Sequence, residues 1–339
     1  MTVLKRALAV LLTAALLMGL TGCDLSFLYP AEESALSGSA EDMLVTDSNP
    51  DNGEADTTGQ KATKTTKKGG KVTNPNEGDS DFAFKPITTT KKKTGGKKIA
   101  ILAIGNSFSM DSLINHMYPL LESAGYGDIT LANLHVPGCT IETHWANING
   151  EKKEYEFQVT KNGKWDRIAD YTAQQGIRYA DWDYITIQQG SHESGMPNSY
   201  ADLQHIASWV KANKPKAKLF FHMTWAYEQT SDHWAFGRYN KDQMTMYRAI
   251  TSAVQTKAVP IKQIDGVIPS GTAIQNLRTS PLGDTLTSDG YHLLNSYGDY
   301  TASMTWYCAL TGGKPESVTY RPTAVEQHWR SVARAVKTP

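Results

Sequence analysis

A chain of 339 residues with 40% hydrophobic content, 8 Trp and 16 Tyr has ample material for a core, and its composition favours one domain plus a tail over two domains. Lys and Arg total 34 against 34 Asp and Glu, a formal net charge of zero. That balance speaks against nucleic acid or another polyanion as partner.

The N-terminus predicts an address. Lys5 and Arg6 precede an apolar run from Ala7 to Met18, followed by Gly19-Leu20-Thr21-Gly22-Cys23. A charged start, a short apolar stretch and small residues before a cysteine predict a secretory signal over 1–22. Leu20-Thr21-Gly22-Cys23 resembles a bacterial lipobox, which implies cleavage before Cys23, lipidation of its thiol and membrane attachment outside the cytoplasm. Residues 23–95 predict a disordered tether, acidic in its first half and rich in Thr, Lys and Gly in its second. Aromatics are nearly absent there, so the segment has too little apolar surface to offset its ordering entropy. Its lysines are candidates for contact with anionic cell-wall polymer or lipid headgroups.

Residues 96–339 predict the folded domain. Ile99 to Ile104 is an unbroken apolar run, suited to a strand buried on both faces of a parallel sheet. It ends at Gly105, and Leu113, Ile114, Met117, Leu120 and Leu121 then recur at helical spacing, with Ser109 the better candidate for helix cap. Asp128 to His135 reads as a second strand ending in Val136-Pro137-Gly138. Tyr155, Phe157 and Val159 alternate up to Asn162-Gly163, a hairpin signal, here expected as an insertion near the rim of the site. Further strands are expected at 184–188, 218–223 and 264–268, with helices near 171–179, 200–214, 238–256, 297–310 and 323–336. Strand and helix alternating in this way predict a three-layer α/β/α domain, flavodoxin-like, with a parallel sheet of about five strands.

Gly105-Asn106-Ser107-Phe108 is then a strand-to-helix turn at the carboxyl end of the first strand, where open α/β sheets carry their sites. A serine hydroxyl is a poor nucleophile until an imidazole removes its proton, and a carboxylate must fix the imidazole tautomer. Asp289-Gly290-Tyr291-His292 supplies both groups far downstream. Gly105-Asn106-Ser107 near the domain start, Gly138 after the second strand and Asp289-x-x-His292 near the end together resemble the SGNH (GDSL) hydrolase superfamily, over roughly residues 98–339. The resemblance implies Ser107 as nucleophile, His292 as base and Asp289 as its orienting acid. It also implies an oxyanion hole from the backbone N–H groups of Ser107 and Gly138. The superfamily's third donor is an Asn in a Gly-x-Asn-Asp stretch; the matching positions here are Gly190-Ser191-His192-Glu193, so Gln189 or His192 stands as candidate instead.

Trp225, Tyr227 and Trp145, the last expected in a loop after Gly138, are candidates for a sugar platform, with aromatic core packing the equal alternative. His135, His144, His222 and His233 lie at or near predicted sheet-edge loops, yet no His-Glu-x-x-His or Cys-x-x-Cys spacing nominates a metal, and no phosphate loop nominates a nucleotide. No cofactor is expected. Cys139 and Cys308 are permitted a disulfide outside the cytosol, though two free, partly buried thiols fit their settings better. The expected function is a surface-anchored serine esterase, with O-acetyl groups on polysaccharide as the substrate suggested by location. A lipid or lysophospholipid esterase and a non-catalytic glycan-binding lipoprotein are the alternatives.

Overall fold

The computed structural model describes residues 96–337. The signal segment, Cys23 and the tether lie outside the described residues. Among the described residues no helix is long and apolar enough to cross a membrane.

The first strand, β1 (Lys97–Gly105), is flanked on both sides and fully buried from Ile99 onward. That is what an unbroken apolar run requires, since each such side chain contributes about 1.5–3 kcal/mol only when removed from water. Around it assemble β2 (Tyr126–His135), β3 (Tyr155–Thr160), β4 (Asp166–Tyr171), β5 (Tyr184–Ile187), β6 (Lys218–His222) and β7 (Gly266–Ile268). The order across the sheet is β4-β3-β2-β1-β5-β6-β7. The five strands from β2 to β7 run parallel, whereas β3 and β4 are antiparallel additions at the β2 edge.

The sheet therefore has seven strands rather than about five. The hairpin built on Asn162-Gly163 is part of the sheet and not an insertion at the site. Leu131 pairs with Thr160 and His135 with Glu156, so the hairpin turn lies toward the amino-terminal end of β2, away from the carboxyl edge. Phe157 and Val159 are buried because β3 covers the flank of β2. The exposed β4 blunts that edge with charged residues, among them Asp166 and Arg167.

Helices cover both faces. Ser107–Leu113 (α1) and Met117–Ser123 (α2) follow β1. Ile141–Asn149 (α3) follows β2, Ala173–Arg178 (α4) follows the hairpin, and Leu203–Asn213 (α5) precedes β6. Gln243–Ala253 (α6), Ser270–Arg278 (α7), Tyr297–Thr311 (α8) and Thr323–Lys337 (α9) complete the set. The helices α1, α2, α7, α8 and α9 pack as one group and α3, α4 and α5 as another, which makes three layers. α8 is buried on nearly every side, and α9 closes over α7 and α8 with one apolar stripe, Val325, Val332 and Val336.

Chain order decides where a site can form. From β1 the chain moves to β2 on one side and later to β5 on the other, so the carboxyl end of β1 is the switch point of the sheet. Ser107 stands there. The Gly138 turn after β2 and the Gln189–His192 loop after β5 flank it.

Candidate active site

Gly105 ends β1 without a side chain because a Cβ there would come within 2.2 Å of Ser109 Oγ. Ser109 is itself buried and donates to Gln188 Oε1 after β5. It is therefore not the helix cap expected from its place in sequence. Asn106 caps α1: its Oδ1 accepts the Phe108 N–H at 3.0 Å, and its carbonyl accepts from Ser109 and Met110. The cap leaves over the N–H of Ser107. Asn106 Nδ2 also donates to the Cys139 carbonyl at 3.2 Å, which pins the turn carrying Gly138 beside the Ser107 turn.

Downstream, a tight loop is assembled around Gly290, whose φ of +90° suits glycine. Thr287 bridges Leu293, and the Ser288 N–H donates to the His292 carbonyl at 2.8 Å. The Glu228 N–H donates to the Gly290 carbonyl at 2.8 Å. Within this loop Asp289 Oδ1 accepts the backbone N–H groups of Tyr291 and His292, at 3.1 and 2.7 Å. Asp289 Oδ2 meets His292 Nδ1 at 2.7 Å, and His292 Nε2 meets Ser107 Oγ at 2.8 Å. Serine, imidazole and carboxylate thus form one continuous hydrogen-bonded line. Burial pushes the Asp289 carboxyl up, but the His292 N–H, ring and charge outweigh it and hold the group below the usual carboxylate range. An ionised Asp289 accepts only, so the proton sits on Nδ1 and leaves Nε2 to take one from serine.

The other nominated residues fall out unevenly. Gly138 has φ +60°, and no heavy atom lies within 4 Å of where a Cβ would stand, so its turn opens to free space beside Ser107's neighbours. Gln189 is not a free donor: its Nε2 gives both hydrogens to the Ser199 carbonyl and hydroxyl at 2.8 Å, and its Oε1 accepts from Ile141 and Gly190. It is a brace between the loops after β2 and β5. The His192 ring lies against Gly190 and 5.6 Å from the Trp234 ring, and burial lowers its pKa so that it is neutral at neutral pH.

The sugar-platform candidates change places. Trp225 and Tyr227 are fully buried and have no face to offer a substrate. Trp225 stacks flat on Phe108, centroids 4.4 Å apart, and its Nε1 donates to the Tyr291 carbonyl at 2.7 Å. It therefore holds the His292 loop against the Ser107 turn. Tyr227 bonds Ser191 Oγ at 3.0 Å under the β5 loop. Trp145 lies in α3 rather than in a loop, and with His205, Ser208 and Trp209 it lines a shallow groove that none of Ser107, His292 and Asp289 enters. The exposed aromatic at the site is Trp234, 68% accessible, next to His233, whose ring is 4.8 Å from Tyr291. Tyr291 in turn lies 4.4 Å from His292. A lone Trp in a polar stretch after β6 gave no motif by which to find it.

Trp225→Phe is expected to keep the stack but leave the Tyr291 carbonyl without its donor. Stability should fall by about 1–3 kcal/mol and turnover by roughly tenfold as the imidazole loosens. Denaturant unfolding together with steady-state rates on an acetyl ester would check both. Unchanged turnover would remove Trp225 from any positioning role.

The histidines considered for zinc are dispersed. His144 and His222 are buried in the core, and among the described residues no group of three or more His, Cys, Asp or Glu converges for a metal. Cys139 and Cys308 are both free, and burial pushes each thiol up to about 12, which leaves Cys139 inert as a nucleophile.

Residues 100–338 match the family model DUF4886, described as a domain of unknown function. The crystal structure of a DUF4886 family protein from Bacteroides uniformis is 35% identical, over 71% of this chain and 93% of that one, with a TM-score of 0.68. The chain belongs to the DUF4886 family. Comparison of this DUF4886 chain with the curated proteins found no match. Its domain is also similar to a family 3 carbohydrate esterase from Clostridium thermocellum, 18% identical over 63% of this chain and 95% of the other, TM-score 0.38. An acetyl xylan esterase is 13% identical over 62% and 98%, TM-score 0.40. At those scores the two likenesses carry no argument about this DUF4886 site.

Proposed function

We propose that the domain is a serine esterase. The observation that carries this reading is the unbroken line from Ser107 Oγ through His292 to Asp289, with separations of 2.8 and 2.7 Å. Ser107 attacks the ester carbonyl while its proton passes to Nε2, and Asp289 stabilises the imidazolium. The N–H groups of Ser107 and Gly138 hold the oxyanion, with the His192 ring as third donor. The alcohol leaves with the proton from Nε2. Water then gives a proton to the same nitrogen as it attacks the acyl-enzyme; the C–Oγ bond breaks, Nε2 returns that proton to Ser107 Oγ, and the acid leaves.

O-acetyl groups on polysaccharide are the proposed substrate. An exposed Trp234, joined to His292 through the rings of His233 and Tyr291, supplies aromatic surface near the site for a sugar ring. The lipobox-like Leu20-Thr21-Gly22-Cys23 supports an anchored position outside the cytoplasm, where such polymers are found. A purely glycan-binding role would need none of the alignment of serine, imidazole and carboxylate.

Treatment of the full chain with a fluorophosphonate probe, followed by peptide mapping, tests the reading. Labelling at Ser107 is expected, together with acetate release from a small acetyl ester and from acetylated polysaccharide. No label and no acetate would sink the esterase. Label with acetate only from the small ester would sink the polysaccharide as substrate.

A further inference from the structure

Asp111 lies on α1 four residues after Ser107, one turn along the same face. Its Oδ2 accepts the backbone N–H of Leu293 at 2.9 Å. Leu293 directly follows His292 and closes the bridge to Thr287. A single side chain therefore ties the helix that carries the nucleophile to the loop that carries the imidazole.

A second carboxyl stands behind it. Asp299, in α8, is 2% accessible and takes Asn115 Nδ2 on Oδ2 at 2.7 Å, while its Oδ1 has no partner. The titratable groups bearing on Asp111 are Asp299 from α8 and His292 and Asp289 from the loop. Burial pushes Asp111 up to about 7, against the pull of His292 and the Leu293 N–H and with a further push from Asp289. Burial also raises Asp299 well above the usual carboxylate range, and the charge on Asp111 adds to this. Each carboxyl therefore opposes the ionisation of the other.

We propose that Asp111 is a positioning residue for the ester hydrolysis: a second carboxylate that fastens the His292 loop to the nucleophile helix and lends negative charge to the imidazolium. This rests on reading Ser107 as nucleophile and His292 as base. Asp111 touches no substrate. It acts through the Leu293 N–H on the aim of the imidazole, and through space on its proton affinity.

Asp111→Asn keeps the size of the side chain and removes the charge. With less negative charge nearby the imidazolium is less favoured, so the midpoint of the His292 titration should fall in the variant. The acid limb of fluorophosphonate labelling at Ser107 should move in the same direction. kcat on a small acetyl ester should drop by about tenfold with KM within about twofold, because the amide still accepts the Leu293 N–H but no longer offers the charge that favours the imidazolium. Asp111→Glu should recover much of the midpoint by restoring the charge. The His292 ring resonances, followed by NMR across pH, need no turnover and so judge Asp111 even if Ser107→Ala labels and turns over as well as wild type, an outcome that would topple the esterase reading instead. In the wild type those resonances should report a second inflection near neutrality from Asp111, a measurement that stands if the Asn variant does not fold. An unmoved midpoint in Asp111→Asn, or a single-step wild-type curve where that variant does not fold, would overturn the proposal.

Discussion

Replacing Ser107 with alanine is expected to lower kcat on an acetyl ester by on the order of 10⁴- to 10⁶-fold, with little change in KM. The hydroxyl is the one atom in the line that forms a bond to substrate, and 2.8 Å to His292 Nε2 is the separation at which its proton can be taken as attack proceeds. His292→Ala should cost about as much. The double variant should be no worse than either single one, because serine and imidazole work as a unit. Asp289→Asn should cost about 10⁴-fold: the amide can present a hydrogen where the carboxylate accepts one, which releases the Nδ1–H tautomer. Single-turnover rates with active-site titration check the series. A Ser107→Ala protein that kept a few per cent of wild-type turnover would show the chemistry to lie elsewhere.

The catalytic candidates were legible in the sequence because their signals are local. An apolar run ending in Gly-Asn-Ser needs only the rule that a fully buried strand feeds a turn, and Asp289-x-x-His292 closes on itself within three residues. What sequence misplaced depends on contacts between distant segments. Ser109 reads as a cap until Gln188, 79 positions away, is seen to take its hydroxyl. Gln189 reads as a donor until Ser199 takes both of its amide hydrogens. The hairpin at 155–171 was found from its own alternation and turn, but nothing within it says that its partner is β2. Trp225 and Tyr227 carried the ambiguity of all aromatics at strand ends. The stack on Phe108 and the bond to the Tyr291 carbonyl resolve it toward support of the loop. Asp111 offered no signal, since its partner is a backbone N–H 182 positions away.

Asp299→Asn is expected to stabilise the protein above neutral pH, by about 1.4 kcal/mol for each pH unit by which burial raises the carboxyl. The sign follows from the shift. Asp299 has its folded-state pKa raised by burial and by Asp111, so the folded chain holds a proton that the unfolded chain releases once the pH exceeds the ordinary carboxylate value. From there upward the wild type loses stability with rising pH, and an amide, which never ionises, does not. Near pH 4 the unfolded carboxyl is only about half ionised, so the two proteins should unfold at much closer denaturant concentrations than at pH 8. The Asn115 bond survives because the amide keeps an oxygen acceptor. Urea unfolding at about pH 4 and pH 8 measures the difference. An Asn variant less stable at pH 8, or equally changed at both values, would mean that Asp299 is held by a favourable contact and not strained by ionisation.

The 185 positions between Ser107 and His292 bear on how the protein is made. On the proposed reading a nascent chain carries its nucleophile early, yet the base arrives only after β2 through β7 have been synthesised, and a ribosome-bound fragment would be inert toward any ester it meets. The same separation turns activity into a clock for refolding. The spine of the sheet and its outermost connections must both be in place before the first substrate molecule is cut, so recovered turnover times the last step of folding rather than the first.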